Sequence, residues 1–327
     1  MSALKIRHSD EPLTQGVRGI TEIQNPMFKR SIKILVLVTL MCALVHPGWA
    51  DNPPIEPEPV IVGASMESLY EANRVDVQIV FEFIYNEMLK DTGQTFDINL
   101  FDNNAILENE FREGNIQIIF IDSTKILELD SLIHPTARYV VQYGDSLKQR
   151  FLLLVKKDDP RRKLSEFRNG KLATCIGHLI GKRYLDVLLM QTGLPPTDRF
   201  FEEISVKQDV NATIVDLYFG RVDMALLPEY GMALARELNP QIDEELKIMS
   251  SSEPLIYQAV GFRYDLSEKV IDPIETRLLN KEPTKRLKKV FSIANISTFY
   301  RLTEDVLKET RALNEKYYQL LEQQQKP

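Results

Sequence analysis

The chain repeats one pattern of helix, glycine and apolar strand in its two halves. The copies occupy residues 104–121 and 211–227, and each has a glycine between its helix and its strand, at Gly114 and Gly220. The offset is 107 residues between the leading asparagines and 106 between the glycines. A unit that recurs at a near-constant offset indicates a duplication. Since units of this kind build parallel-type sheets flanked by helices, we expect two similar α/β halves.

Two apolar strands predict how the chain passes between these halves. The run 151–155 carries the chain into the second half, and the run 256–262 leads it out again. Two passages of this kind indicate two lobes joined by a two-strand hinge. The sequence therefore predicts lobe 1 at residues 60–150 and lobe 2 at 151–261, with 262–327 returning to lobe 1 as C-terminal helices.

The N-terminal region has the pattern of an export signal. A basic segment, 27–33, precedes an apolar core at 34–45, and small residues stand at Gly48 and Ala50 where a signal peptidase would act. We therefore interpret residues 1–50 as a leader with a signal peptide at 27–50, and the Pro-rich stretch 51–59 as a linker. The alternative is an uncleaved membrane anchor, although the apolar core is shorter than a bilayer span. A cleaved product would be periplasmic.

Charge and cysteine content exclude several classes of function. The full chain has a formal net charge of -7, and removal of residues 1–50 leaves about -10. A nucleic-acid partner would require a basic face, so none is expected. Of the two cysteines only Cys175 follows the leader, and its apolar strand predicts a buried structural thiol. The four histidines show no metal-ligand spacing, and we expect no metal or cofactor.

The polar loops after the predicted strands form the candidate binding site. Ligands of α/β sheets bind beyond the carboxyl ends of the strands, and the amides that open a helix attract polar or anionic groups. The turn 177–181 opens such a helix, although turns of this kind also serve only to pack a helix on a sheet. His178 has a packing or solvent-facing alternative. The predicted ligand-binding residues are Ser65, Glu67, Ser68, Asp122, Ser123, Thr124, His178, Gly181, Glu229 and Tyr230.

The order of several segments resembles a known family. These are the run 114–121 before a polar loop, the strand and charged turn 151–159, the pair 164–167 and 170–173, and the segment 220–225. Over residues 60–300 the chain resembles the periplasmic solute-binding proteins of phosphate and phosphonate ABC transporters, which are allied to sulfonate-binding and transferrin-like proteins. The resemblance implies a type II two-lobed periplasmic binding fold. It also implies a monomer that binds a small solute and delivers it to a membrane permease.

One departure from the family concerns the ligand. Where the family carries a turn rich in serine and threonine that grips the phosphonate oxygens, residues 178–180 are His-Leu-Ile, and only Gly181 is retained. Two hydroxyl donors are missing, and each hydrogen bond to a charged group contributes about 1.5–3 kcal/mol. We therefore expect weak phosphonate binding and leave the ligand open as a small polar or anionic solute.

Two other functions stay open at this point. The same fold can act as a periplasmic sensor that reports to a membrane kinase or cyclase instead of a permease. Related folds also include pyrimidine-precursor synthases, and an acid pair such as Asp122 and Glu229 can do acid–base chemistry. The chain contains no serine nucleophile elbow and no Gly-rich phosphate loop, so we expect no catalytic residues.

The leader generates the first testable prediction. The exported protein should begin at Asp51, because cleavage after Ala50 follows the signal pattern. N-terminal sequencing of the periplasmic fraction measures this directly. A product that begins at Met1, or that stays with the membrane fraction, would contradict the assignment.

Overall fold

The computed structural model describes most of the chain after the linker. The leader 1–50 with its signal segment, and most of the linker 51–59, lie outside the described residues, as does His178 of the candidate site. The described ranges are 58–69, 73–89, 93–175, 177, 179–280, 282–293 and 296–325.

Strands and helices alternate along the described chain. The strands are β1 (Val60–Ser65), β2 (Phe96–Phe101), β3 (Ile118–Asp122), β4 (Ile133–Tyr143), β5 (Phe151–Lys156), β6 (Lys171–Cys175), β7 (Glu203–Lys207), β8 (Met224–Pro228), β9 (Leu246–Ser251), β10 (Gln258–Arg263) and β11 (Ile296–Arg301). The helices are α1 (Arg74–Leu89), α2 (Asn104–Glu113), α3 (Ser123–Glu128), α4 (Leu179–Gln191), α5 (Thr197–Phe200), α6 (Val210–Tyr218), α7 (Glu229–Leu238), α8 (Ile242–Glu245), α9 (Glu268–Leu278), α10 (Lys285–Ile293) and α11 (Glu304–Gln325). Short 3-10 helices occupy Asp130–Leu132 and Leu164–Phe167.

The strands form two sheets with related topology. The first sheet has the order β11-β4-β10-β3-β1-β2, and the second has the order β7-β6-β8-β5-β9. In each sheet three strands pair in parallel, β2-β1-β3 in the first and β7-β6-β8 in the second. The strand beside each trio, β10 or β5, is antiparallel to it. Both sheets are thus mixed, because the strand that enters each sheet from the other half is antiparallel to the three parallel strands.

Helices cover both faces of each sheet. In the first sheet, α1, α9 and α10 bury one face, and α2, α3 and α11 bury the other. In the second sheet, α4 and α5 cover one face and α6, α7 and α8 the opposite one. This double cover explains why β3 and β8 are buried at every position and have no polar alternation. Within the described ranges, no helix combines the length and apolar character needed to cross a bilayer.

The internal repeat has the same local structure in both sheets. The side chains of Asn103 and Asp209 cap the first turns of α2 and α6 by accepting a hydrogen bond from a backbone amide. Gly114 and Gly220 follow these helices with φ of 88° and 69°, a left-handed conformation that favours glycine. The offset is 106 residues at both the caps and the glycines. In the structure the two copies are therefore offset by 106 residues, one fewer than the 107 residues between Asn104 and Asn211.

The C-terminal part contains a strand that the sequence analysis missed. The segment 262–327 was expected to consist of C-terminal helices, but β11 in this segment forms an edge strand paired with β4. Only Phe299 of this strand is buried, so its apolar pattern is weak. The predicted end of lobe 2 at residue 261 also falls inside β10, which pairs within the first sheet.

Two chain segments connect the sheets and pair with each other. The segment between β4 and β5 and the segment between β9 and β10 are joined by an isolated antiparallel bridge. Gln149 and Leu255 each donate an amide hydrogen bond to the carbonyl of the other, with N···O distances of 2.8 Å. This arrangement agrees with the expected two-strand hinge.

The last helix, α11, contacts both halves of the molecule. Near its start, the Thr310 hydroxyl accepts a hydrogen bond of 2.9 Å from the amide of Ile256 beside β10. Near its end, Leu320 packs against Val187 and Met190 of α4. Assignment of all of 262–327 to the first lobe omits this second contact.

Arg183 of α4 joins three helices at this interface. Its guanidinium lies 3.0 Å from a carboxylate oxygen of Glu128 in α3 and also donates to the Asn314 side chain in α11. The same group stacks over the ring of Tyr317, 4.6 Å from the ring centroid. Because Arg183 is buried, these partners offset the cost of removing its charge from water.

This interface generates a stability prediction. Leu320→Ala should lower the free energy of unfolding by about 2–3 kcal/mol, because it removes a nearly buried side chain between α11 and α4. Leu238→Ala in α7 is the matched control, since Leu238 is 69% exposed and should change stability by less than about 0.5 kcal/mol. Urea unfolding measures both variants. Equal effects would contradict the packing role of α11.

Candidate functional site

The carboxyl ends of the parallel strands meet between the two sheets. Asp122, at the end of β3, accepts a hydrogen bond of 3.3 Å from the amide of Ile180 in the first turn of α4. The hydroxyl of Tyr257 lies 3.3 Å from the carbonyl oxygen of Ser68 and 3.4 Å from that of Gly177. The loop after β1, the end of β3 and the turn after β6 are therefore adjacent.

Asp122 is the buried charge of this region. It is fully buried, and one of its oxygens accepts hydrogen bonds from the Thr124 amide at 2.9 Å and the Thr124 hydroxyl at 2.6 Å. Burial raises the pKa of Asp122 to about 6, and the hydrogen bonds from Thr124, the positive charge of Arg183 and the Ile180 amide oppose this rise. Its carboxylate is thus held in place from both sheets.

Ser65 differs from its polar neighbours because its hydroxyl has no hydrogen-bond partner. The residue is fully buried at the end of β1, next to β3. By contrast, the Ser68 hydroxyl donates to Asn104 at 2.8 Å, and the Glu67 carboxylate accepts from the Asn104 amide at 3.0 Å. Glu67 and Ser68 therefore hold the start of α2, whereas Ser65 keeps an unused donor and acceptor.

Ser123 attaches the start of α3 to the return segment of the hinge. Its hydroxyl donates to the Ile256 carbonyl at 2.5 Å, and its amide donates to the Tyr257 carbonyl at 3.0 Å. Both Ser123 and Thr124 are fully buried. Their observed contacts position Asp122 and Tyr257.

Gly181 has a clear packing role in α4. A β-carbon at this position would lie 2.5 Å from the ring of Phe151 in β5, closer than atoms can approach. The glycine therefore lets α4 contact β5 directly. This is the packing alternative that strand–glycine–helix turns allow.

Glu229 and Tyr230 begin α7 directly after β8. The Glu229 amide donates to the Arg150 carbonyl at 2.8 Å, while its side chain is exposed. Tyr230 is 36% exposed, and burial of its hydroxyl raises its pKa. Since Asp122 is fully buried and Glu229 is exposed, the two carboxylates of the suggested acid pair lie in different environments.

Tyr257 and Gln258 belong to this region but were missed in the sequence analysis. The Gln258 side-chain amide donates to the Ser68 carbonyl and accepts from the Tyr143 hydroxyl at 2.6 Å. Burial raises the pKa of Tyr257, and the nearby acidic groups Tyr230 and Asp122 raise it further. The sequence signal that could have identified Tyr257 and Gln258 is that two polar side chains stand at the start of an otherwise apolar strand. Among the described residues, no cluster of His, Cys, Asp or Glu side chains is arranged to hold a metal ion.

Comparison by sequence identifies one family. The model of the family described as "ABC transporter, phosphonate, periplasmic substrate-binding protein" matches residues 70–307, which is most of the chain. No curated protein matches the chain in sequence.

Comparison by structure finds proteins of the same fold. A Xanthomonas citri protein bound to ATP matches with a TM-score of 0.64 and 13% identity, over 81% of this chain and 99% of that chain. PhnD1 from Prochlorococcus marinus in complex with methylphosphonate matches with a TM-score of 0.58 and 15% identity, over 79% and 98%. A binding protein component of an ABC phosphonate transporter from Pseudomonas aeruginosa also gives 0.58 and 15%, over 80% and 87%. At these identities the likeness establishes the type II binding-protein fold alone.

The buried carboxylate generates a prediction about pH. The folded-state pKa of Asp122 is about 6 and its usual value is 3.8, so the folded protein holds this proton more tightly than the unfolded chain does. The resulting stabilisation is fully present below pH 3.8 and is lost as pH rises through 6. A difference of this size corresponds to about 3 kcal/mol.

Asp122→Asn should remove that dependence. Relative to the variant, the wild-type protein should lose about 2.5 kcal/mol of unfolding free energy between pH 4 and pH 7.5. Urea unfolding at the two pH values measures the difference. A constant difference between wild type and variant would contradict the raised pKa.

Proposed function

We propose that this chain, which belongs to the family of periplasmic substrate-binding proteins of phosphonate ABC transporters, closes two lobes on a small polar or anionic solute and delivers it to a membrane permease. The proposal includes export through the signal peptide at 27–50 and a monomer in the periplasm. The family is one of solute-binding proteins and not of enzymes.

The contact between the two sheets is the observation that carries the proposal. The Asp122 carboxylate belongs to β3 of the first sheet, and the Ile180 amide belongs to α4, which packs on the second sheet. The backbone passes between the sheets in two paired segments, and α11 and the Arg183–Glu128 ion pair add contacts between the halves. Rotation about the Gln149–Leu255 pair would part these groups and admit a solute. We assign the first sheet to one lobe and the second sheet to the other, with α11 along both.

The polar groups around this contact suit the recognition of a small solute. Ser65 supplies an unpartnered hydroxyl, and Asp122 supplies a fixed carboxylate. The Tyr257 hydroxyl lies at the boundary between the two sheets. Pre-formed polar groups in a mainly apolar setting are typical of ligand sites.

The thiol in the described part of the chain favours binding over catalysis. Cys175 is buried, and its thiol lies 3.0 Å from the Thr213 hydroxyl. A buried thiol in an apolar strand is typical of a structural cysteine and not of a nucleophile. A periplasmic sensor would also respond to lobe closure, and the family assignment favours the permease over that alternative.

Reconstitution tests the proposed function. The exported chain should stimulate ATP hydrolysis by its permease in proteoliposomes, and only when a solute that raises its melting temperature is present. A protein that binds such a solute but co-purifies with a membrane kinase or cyclase would support the sensor instead. A chain that neither binds any small solute nor stimulates a permease would refute the proposal.

Ser65 gives a sharper prediction for the site. Ser65→Ala should leave the unliganded protein as stable as the wild type or more so, because the substitution removes a buried hydroxyl without a partner. A solute at 100 times its dissociation constant stabilises the wild type by about 2.7 kcal/mol, and the variant should lose part of this gain.

Thr197→Val is the matched control, because the Thr197 hydroxyl in α5 is also buried without a partner and is not part of the candidate site. This variant should keep the stability of the unliganded protein, and its gain from the solute should persist. Thermal denaturation with and without solute measures both variants. If the solute stabilised Ser65→Ala as much as it stabilises the wild type, Ser65 would be excluded from the binding site.

A further inference from the structure

The first turn of α4 already holds an anionic group that belongs to the chain itself. The first amides of a helix have no partner within the helix, and the helix dipole favours negative charge there. An Asp122 carboxylate oxygen lies 3.3 Å from the Ile180 amide, which is in this first turn. The carboxylate therefore occupies a position at which the helix would attract the anionic head of a ligand.

Asp122 is held in this position and is not a mobile surface side chain. It is the last residue of β3 and is fully buried, and its other oxygen accepts two hydrogen bonds from Thr124. Movement of the carboxylate away from α4 would require a change at the junction of β3 and α3. A ligand that enters between the sheets thus meets a fixed negative charge.

The nearby positive charge is already balanced. Arg183 is the cation whose charge acts on Asp122, and it is paired with Glu128 at 3.0 Å. It also donates to Asn314 and stacks over Tyr317. A dianionic head group beside Asp122 would therefore be repelled by the carboxylate, and Arg183 could not compensate because it is already paired with Glu128.

We propose that Asp122 determines the ligand class of this protein: it fills the anion position of α4, so the site rejects phosphonate, phosphate and sulfate dianions and accepts a solute that presents an ammonium or hydroxyl donor. This inference rests on the proposed function and narrows its substrate.

The acceptor capacity of the site supports the choice of a donor ligand. A carboxylate has about four acceptor positions, and Asp122 uses three of them, two for Thr124 and one for Ile180. The remaining position suits an N–H or O–H group of a ligand. The unpartnered hydroxyl of Ser65 lies at the same edge of the first sheet and can either donate or accept.

Binding of simple anions tests the inference. Isothermal titration with sulfate and with methylphosphonate at pH 8 should show weak binding to the wild type and binding at least about tenfold tighter to Asp122→Asn, because the substitution keeps the shape and removes the charge. Asp186→Asn is the matched control. Asp186 is a buried acid of the same helix that pairs with Lys182 at 3.1 Å, six residues beyond Ile180, and its variant should bind like the wild type.

A pH series provides a second measurement that does not depend on the folding of any variant. Sulfate keeps its charge between pH 8 and pH 5, so wild-type affinity should rise about tenfold as Asp122 takes up its proton. Tyr257 and Tyr230, whose pKa values are raised, stay neutral throughout this range. The Asp122→Asn variant separates Asp122 from any other group that titrates in this range, since it should lose the rise only if Asp122 causes it.

The outcomes separate this inference from the proposed function. Tight wild-type binding of methylphosphonate at pH 8 would overturn the inference and leave the binding function intact. Failure of Asp122→Asn to gain anion binding, or a wild-type sulfate affinity that does not change with pH, would also overturn it. A gain in Asp122→Asn that is absent from Asp186→Asn would support it.

Discussion

The hydrogen bond from the Ile180 amide to the Asp122 carboxylate joins the two halves of the molecule at the candidate site. Its acceptor ends β3 and its donor begins α4, so the geometry of both sheets determines whether the bond can form. Burial makes the contact sensitive to protonation, because a charge removed from water depends on its few remaining partners. Thr124, Ser123 and Tyr257 all contribute to this arrangement by holding the end of β3 against the return segment.

The topology explains why the contact lies where it does. The end of β3 and the loop after β1 in the first sheet meet the turn after β6 in the second, and the antiparallel strand beside each set of parallel strands carries the chain between the sheets. Two such crossings, paired at Gln149 and Leu255, allow a hinge. Helix α11 and Arg183 add further contacts between the two halves, so the α11–α4 interface holds the halves together as well as the candidate site does.

Local patterns predicted much of this architecture. Buried strands such as β3, β5 and β8 were evident because unbroken apolar runs require cover on both faces, and glycines marked the ends of helices α2 and α6. The edge strand β11 was missed because only one of its side chains is buried, so its sequence lacks the alternation of apolar and polar residues that distinguishes a strand from the neighbouring helices. The family model confirms the resemblance that the sequence suggested. For the site, the sequence predicted the loops but not Tyr257 or Gln258.

The sequence by itself determined the fold class, the duplicated unit and the strand ends that carry polar residues, because these follow from the spacing of apolar residues and glycines along a short stretch of chain. Only the tertiary structure decided which polar groups are already paired. Ser65 and Ser68 are three residues apart and chemically identical, yet one is bonded to Asn104 and the other has no partner. Hydrogen bonds between distant segments depend on how the sheets pack, and the order of residues does not encode that packing locally.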